Sequence, residues 1–488
     1  MAISFDNIPA TIRVPGVYSE IDNSQAVSGP QLIPYRRLLI GQKLSAGTAT
    51  ANQLVRVTSI PEGKTLAGAG SQLAGMIEAA LTQDAFTELW ILPVADNGAG
   101  VQATGSIAIT GSATASGTLN LLIAGREVEV AVTSGDSATA IGDAIEAAIT
   151  ADTDLPVTAV NTTGTVAITA RHKGECGNEI TLMVNFYDGE ETPAGVGVAI
   201  TDMASGATNP DLSTAIAAIG DEWFHIWAIG WTDTATLTDI ETELADRFGP
   251  LRELEGHAFA AANDTLSNLG TLGNARNSPH LTIVESADNP MPAYEKAAET
   301  ASIAAYYAQI DPARPIQNLP YRWCIAPKMA NRFTMAERNI LLYDGIATTK
   351  VDAGGTMQVE RLITTYKENS AGASDTSYLD VETLLTLMFI RHDWRDYVKR
   401  KYPRHKLASD GTRYGPGQAI VTPSLMKAEY VSKAREWEEI GLVENIDAMK
   451  ENLVSERNAS DPNRLDMLLP PDLVNALRVV ANKIAFRL

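Results

Sequence analysis

Arg37-Leu38-Leu39-Ile40-Gly41 is a short apolar run closed by a glycine. Such a run reads as a buried β-strand. Working outward from it, residues 75–81 read as a helix and residues 88–94 as a second strand. The same rhythm resumes after residue 207. Residues 223–229 read as a strand, 236–248 as a helix, 281–285 as a strand, and 293–309 as a long helix stopped before Pro312. Thr334-Met335-Ala336-Glu337 is a capping-box signature for a further helix through Leu342, ended by Gly345. Residues 346–351 and 356–365 flank Asp352-Ala353-Gly354-Gly355 and read as a hairpin. Alternating strands and helices predict an α/β domain over residues 31–98 and 207–350.

Between those two parts the composition changes. Residues 99–206 are rich in Gly, Ala and Thr, and their aromatics are Phe186 and Tyr187. Short strands are expected at 106–110, 118–123, 127–133, 165–170 and 179–187, with one helix at 137–149 capped by Ser137. The stretch has 3 Lys+Arg against 13 Asp+Glu. It reads as an inserted β-rich outer domain that faces solvent and is dispensable to the core around it.

Both ends read differently again. Residues 1–30 are interrupted by Pro9, Pro15 and Pro30, and Ile12, Val14, Val17 and Tyr18 are their clustered apolar groups. This is an extended arm that needs a partner surface. Residues 351–476 read as a C-terminal α+β domain, with helices at 380–401 and 423–439. Residues 477–488 end in Ile484, Phe486 and Leu488 alternating with Ala485 and Arg487, a strand pattern at the terminus. The fold class expected is therefore multidomain, α/β and α+β, with an extended arm at each end.

Charge and motif content narrow the function. A net charge of −21 argues against phosphate-backbone binding, which needs a basic face. No apolar run approaches the roughly 20 residues of a membrane span. The opening Met1-Ala2-Ile3-Ser4-Phe5-Asp6 lacks a secretory pattern, so folding in the cytoplasm is expected. Cys176 and Cys324 make no CxxC pair, and six histidines form no HExxH, so no metal site is expected. Gly68-Ala69-Gly70-Ser71-Gln72-Leu73-Ala74-Gly75 opens a helix as a dinucleotide loop would, but Leu73 stands where a third glycine is needed. Trp223, Trp227 and Trp231 recur every fourth residue and read as packing. No catalytic residue, cofactor or metal ligand emerges.

One charge feature stands out. Residues 391–488 hold 17 Lys+Arg against 14 Asp+Glu, so the first 390 residues carry −24. Within residues 391–406, Arg391, Arg395, Lys399, Arg400, Lys401, Arg404 and Lys406 face only Asp393 and Asp396. The cluster is either a solvated helix end, its cations favoured by the helix C-terminus, or a contact for an acidic partner.

Five runs carry a resemblance. Val14-Pro15-Gly16-Val17-Tyr18-Ser19-Glu20 is similar to the PGVYxE segment of contractile tail sheath proteins. Asp22-Asn23-Ser24-Gln25-Ala26-Val27-Ser28-Gly29 and Asp461-Pro462-Asn463-Arg464-Leu465-Asp466-Met467-Leu468-Leu469-Pro470-Pro471-Asp472-Leu473-Val474 resemble the Mu-like branch. So does Asp344-Gly345-Ile346-Ala347-Thr348-Thr349 followed by Glu360-Arg361-Leu362-Ile363-Thr364-Thr365-Tyr366. The resemblance implies a non-enzymatic virion protomer, assembled in host cytoplasm, that polymerises helically around a tail tube and contracts to drive the tube through the host envelope. Its implied partners are its own copies, the tail tube protein, and baseplate and tail terminator proteins. Cofactors, direct nucleic-acid contact and membrane insertion are not expected. The terminal arms, with Ile12, Val14, Val17, Tyr18, Ile484, Phe486 and Leu488, would add strands to neighbouring subunits. Arg395, Lys399, Arg400 and Lys401 would face the tube. A sheath of a headless phage-tail-like bacteriocin and a nucleotide-using α/β enzyme are the alternatives.

Overall fold

Consecutive side chains of a strand point to opposite faces, so an apolar run with no polar break must be covered on both. A computed structural model, which describes residues 34–487, places β1 (Arg36–Gln42) inside an eight-stranded sheet in that situation. Leu38 and Ile40 enter one apolar core, Leu39 the other, and none retains exposed surface. The chain continues through β2 (Val55–Val57), α1 (Ile60–Ala67), α2 (Gln72–Gln83) and β3 (Glu88–Val94). Helix α2 starts three residues before the expected 75, because the Ser71 hydroxyl accepts from the Ala74 amide at 3.0 Å and fixes the N-terminus there.

Residues 99–206 build a module with its own core. It contains β4 (Gln102–Gly111), β5 (Gly117–Ile123), β6 (Arg126–Val132), α3 (Ala138–Ala151), β7 (Val157–Thr162), β8 (Thr165–Lys173), β9 (Leu182–Val184) and β10 (Val196–Ala204). A four-stranded antiparallel sheet, β10-β4-β8-β7, and a three-stranded one, β6-β5-β9, pack with α3 around Leu119, Ile141, Ile145, Val166 and Ile168. Strands β7 and β10 were not expected. Val157-Thr158-Ala159-Val160-Asn161-Thr162 dilutes the apolar alternation with Thr and Asn, and Val160 faces outward. The strand expected over 179–187 shrinks to β9, because Glu175–Glu179 turns as a 3-10 helix before it.

The α/β order then resumes: α4 (Ser213–Ile219), β11 (Ile226–Ile229), α5 (Thr234–Phe248), β12 (His257–Ala262), α6 (Leu266–Asn274), β13 (Leu281–Glu285), α7 (Ala293–Ile310), α8 (Met335–Tyr343), β14 (Ile346–Val351) and β15 (Met357–Arg361). Strand order is β15-β14-β13-β12-β11-β1-β3-β2, parallel from β14 to β3 with an antiparallel strand at each edge. Trp223 and Trp231 fall outside β11. Their indoles donate to Glu255 O at 2.7 Å and Gln42 Oε1 at 3.3 Å, and Trp227 donates to Phe224 O at 2.9 Å. Helix α7 is buried almost throughout, and Ala297, Ala298, Ala301, Ala304 and Ala305 let it lie against the sheet.

The domain boundary expected at 351 moves. Strand β15 pairs with β14 across a turn in which Asp352 Oδ1 accepts from the Gly354 and Thr356 amides at 2.8 and 2.9 Å. Val359, Ile363, Val381, Leu384 and Leu385 join the same core as Leu39, so residues 351–389 belong to the α/β unit. The division falls at residue 390, within α9 (Val381–Lys401), because the apolar face of its first turns is core to the α/β layer. Residues 475–487 belong to the α/β unit as well.

The unit over residues 390–474 is built by itself from the later turns of α9, β16 (Lys406–Leu407), β17 (Ile420–Val421), α10 (Pro423–Glu439), β18 (Val443–Glu444), α11 (Ile446–Asn452), β19 (Val454–Arg457), β20 (Leu465–Leu468) and β21 (Asp472–Leu473). Thr422 caps α10, and Pro423 sits at its first position, where the missing amide costs nothing. Its centre is a buried ion pair: Lys433 Nζ lies 2.9 Å from Asp393 Oδ2, which also accepts from Trp437 Nε1 at 2.7 Å.

The inserted module meets the α/β layer along a polar seam. Gln42 Nε2 donates to Asp96 Oδ1 and Lys173 O, at 2.8 and 2.7 Å, while its Oε1 accepts from the Cys176 thiol at 3.0 Å. His172 Nδ1 lies 2.6 Å from Asp96 Oδ1, and Lys64 Nζ lies 2.7 Å from Asp154. The glycine-rich loop before α2 belongs to this seam. Gly70 has φ +73°, and a Cβ there would stand 2.5 Å from Leu155 O. At Gly125, φ +72°, a Cβ would overlap Met291.

Glu179, also on the seam, is half-buried as a residue, with its Oε2 shielded from solvent. Burial pushes its carboxyl up to about 8, against partial relief from the Tyr294 and Ala293 amides that open α7. A carboxyl raised on folding contributes most stability below its unfolded value and loses it as pH rises through the folded one. Stability should therefore fall between about pH 5 and pH 9, and Glu179→Gln should flatten that slope. Urea midpoints measured across this range check it; an unchanged slope in the variant would refute the assignment.

Candidate assembly surfaces

After the Val474 amide, which donates to Leu442 O at 3.1 Å, the C-terminal segment is tied to the α/β unit by one side chain among the described residues and presents apolar side chains to solvent. The tie is Arg478. Its Nη2 lies 3.0 Å from Asp380 Oδ1 and 2.9 Å from Glu382 Oε2, and its Nη1 donates to Gln317 Oε1 at 3.0 Å. Burial raises the Glu382 carboxyl, and Arg478 offsets part of that rise. Past the anchor, Val479 is 81% exposed, Ile484 89% and Phe486 79%; Leu477, just before it, is 70% exposed. Residues 474–487 form no helix or strand with other described residues. The strand expected over 477–488 therefore has no partner here, and backbone groups of a strand need a second strand to pair with. Ile12, Val14, Val17, Tyr18 and Leu488 lie outside the described residues.

The basic cluster at the end of α9 divides by its contacts. Lys401 Nζ is 2.7 Å from Glu429 Oε2, a carboxylate that also accepts from the Tyr397 and Tyr402 hydroxyls. Arg400 Nε pairs with Asp396 one turn back at 2.8 Å. Arg395 is half-buried and Lys399 exposed. Lys401 thus holds α9 against α10, and of the four residues expected to face the tube Lys399 and Arg400 are the ones that project.

A third surface was not anticipated. On α8, Met335 and Tyr343 are exposed on one face, with Ile340 and nearby Met329. The spacing of Met335, Asn339 and Tyr343 at four-residue steps could have revealed it. The Arg478 anchor was also missed, since a lone arginine in an apolar tail carries no pattern.

Among the described residues no group of three or more His, Cys, Asp or Glu is placed to hold a metal ion, and no helix is long and apolar enough to cross a membrane.

Residues 98–199 match the phage tail sheath protein beta-sandwich domain, residues 205–365 the phage tail sheath protein central domain, and residues 373–487 the phage tail sheath C-terminal domain. The Mu-like prophage FluMu tail sheath protein of Haemophilus influenzae is 43% identical over 486 residues, covering 100% of each chain. Among solved structures, the sheath tail protein of Desulfitobacterium hafniense aligns with a TM-score of 0.48 at 12% identity, covering 94% of this chain and 100% of that one. The sheath tail protein Lin1278 of Listeria innocua aligns with a TM-score of 0.49 at 11% identity, covering 91% and 92%.

Proposed function

The chain belongs to the phage tail sheath family, and from that premise we propose that it polymerises helically around a tail tube, its terminal arms pairing with sheets of neighbouring copies. It is a structural protein, and its work is mechanical. The observation that carries the arm reading is the segment beyond Arg478, whose apolar side chains are exposed and which pairs with no strand among the described residues. Donating that segment to a neighbour buries the side chains and satisfies the backbone in one step. Contraction is then a rigid-body repacking between subunits that stay joined by their arms, driving the tube through the host envelope. Energy stored at assembly makes a nucleotide unnecessary.

In this reading Lys399 and Arg400 meet the tube, where exposed ion pairs of about 0.2–1 kcal/mol each add over many subunits. Changing Lys401 would break the contact with Glu429, so the informative variant is Lys399→Glu with Arg400→Glu. Negative-stain microscopy of purified chain should show tubes of regular width. The double variant should form them alone but co-assemble poorly with tube protein, more so at low salt. Absence of tubes from the wild type would reject the polymer. Normal co-assembly of the variant at every salt concentration would leave the cluster a solvated helix end.

A further inference from the structure

A cleft of about 200 Å³ opens beside the C-terminal ends of the parallel strands β13 and β14, lined by Glu285, Lys296, Arg332, Arg338, Thr349 and Lys350 among others. Crevices at that end of parallel strands are where α/β layers accept ligands. Four of these side chains are cationic and one is anionic. The anion is already committed. The Glu285 carboxylate accepts from the Thr349 amide at 3.0 Å, from the Thr349 hydroxyl, and from the Ala287 amide at 3.2 Å. It also stands 3.9 Å from Lys296 Nζ, the buried cation that donates to Glu285 O and to Thr349 Oγ1. Arg338 is neutralised by Glu360 at 2.7 Å.

Two cations remain. Arg332 spends Nε on Pro327 O at 2.9 Å, and neither Arg332 nor Lys350 has a carboxylate partner among the described residues. Both are half-buried, which strengthens their demand for an anion relative to a fully solvated lysine or arginine.

We propose that this cleft is an anion socket, occupied in the assembled polymer by a side-chain carboxylate from a second copy of the chain. Charge complementarity selects that occupant. The first 390 residues carry −24 and the inserted module alone has 13 Asp+Glu against 3 Lys+Arg, so the surface a second copy brings is rich in carboxylates. The volume suits one carboxylate group with a few waters. The second-copy assignment rests on the polymer reading above, whereas anion binding by the socket does not.

The two are tested separately. Thermal unfolding of the unassembled chain is followed in sodium phosphate and sodium succinate against sodium chloride at equal ionic strength. Both anions should raise the midpoint saturably, as ligands of the folded state do. Arg332→Gln with Lys350→Gln should abolish that rise while leaving the far-ultraviolet spectrum unchanged, and Arg332→Lys with Lys350→Arg should largely keep it. In assembly, Arg332→Glu with Lys350→Glu should raise the concentration needed for tubes at least tenfold. No anion-specific rise in the wild type, or a rise that persists in the Gln variant, overturns the socket. A saturable anion-specific rise in the wild type, together with a charge-reversed variant that polymerises like wild type, overturns the second copy as occupant and leaves a free anion there. If the wild type itself fails to form tubes, the polymer reading falls, while the ion titration still decides the socket.

Discussion

Ending the chain after Arg478 should leave the fold as stable as wild type and abolish tube formation, whereas ending it one residue earlier should also destabilise the α/β unit. The difference lies in one guanidinium. Asp380 retains Arg361, whose Nε and Nη2 each lie 2.9 Å from its carboxylate, when Arg478 is removed. Glu382 does not. It is almost fully buried, keeps the Ile316 amide at 2.6 Å and its own amide, and loses the cation that offset its burial. Stripping the partner from a buried charge costs about 3–5 kcal/mol. The deficit should depend on pH in a stated direction. Without Arg478 the Glu382 carboxyl rises further, so the penalty is largest where it must ionise and shrinks as pH falls toward the ordinary carboxylate range of about 4. Urea midpoints for the two truncations at pH 5 and pH 8, with microscopy of each, test the whole statement. Equal stability at pH 8 would remove the anchor role, and tubes from the Arg478-terminated chain would remove the C-terminal arm from assembly. The lost segment, residues 479–488, can reach at most about 33–36 Å, enough to cross to a neighbour but not to span one.

What was legible beforehand follows from what kind of signal each feature leaves. Leu38-Leu39-Ile40, 281–285 and the Thr334–Glu337 capping box announce themselves because apolar continuity and reciprocal capping are local. Strand β12, His257-Ala258-Phe259-Ala260-Ala261-Ala262, did not, because alanine serves helix and strand alike and only its place between β11 and β13 settles it. The boundary inside α9 could not be read either, since one continuous helix carries one face into the α/β core and then continues past it. At the assembly surfaces, apolar alternation exposed Ile484 and Phe486. The partition of the basic cluster into Lys401, bound to Glu429, and Lys399, projecting, depends on a contact 28 residues away.

The inserted module was expected to be removable, and the seam argues otherwise. Replacing residues 99–206 with a Gly/Ser linker should now leave a chain that fails to reach wild-type stability. The sharpest single-residue form of this prediction is Arg126→Met. Arg126, at the start of β6, pairs with Glu78 of α2 and stacks its guanidinium over Trp323, 5.6 Å from the ring centre. Trp323 Nε1 in turn donates to Glu295 Oε2 at 2.6 Å, and the Arg322, Trp323 and Cys324 amides all donate to Glu299. Burial pushes the Glu295 carboxyl up to about 7, with Arg126 offsetting part of that rise. Methionine keeps the apolar stem over the indole but removes the cation that three carboxylates, Glu78, Glu295 and Asp154, share. Lys64 still reaches Glu78 at 3.1 Å and Asp154, so the loss falls chiefly on Glu295. A destabilisation of about 3–5 kcal/mol is expected at pH 8, by the rule for a buried pair that loses one partner. Because the carboxyl is raised, wild type itself is favoured below pH 7, and the variant raises it further. The gap between them should therefore narrow as pH falls from 8 to 5.5. A double-mutant cycle with Glu295→Gln isolates the pair, and coupling of at least about 1 kcal/mol is expected between side chains this close. Additive single effects, with a gap independent of pH, would mean that Arg126 contributes packing alone and that the module is held by its hydrogen bonds to Gln42.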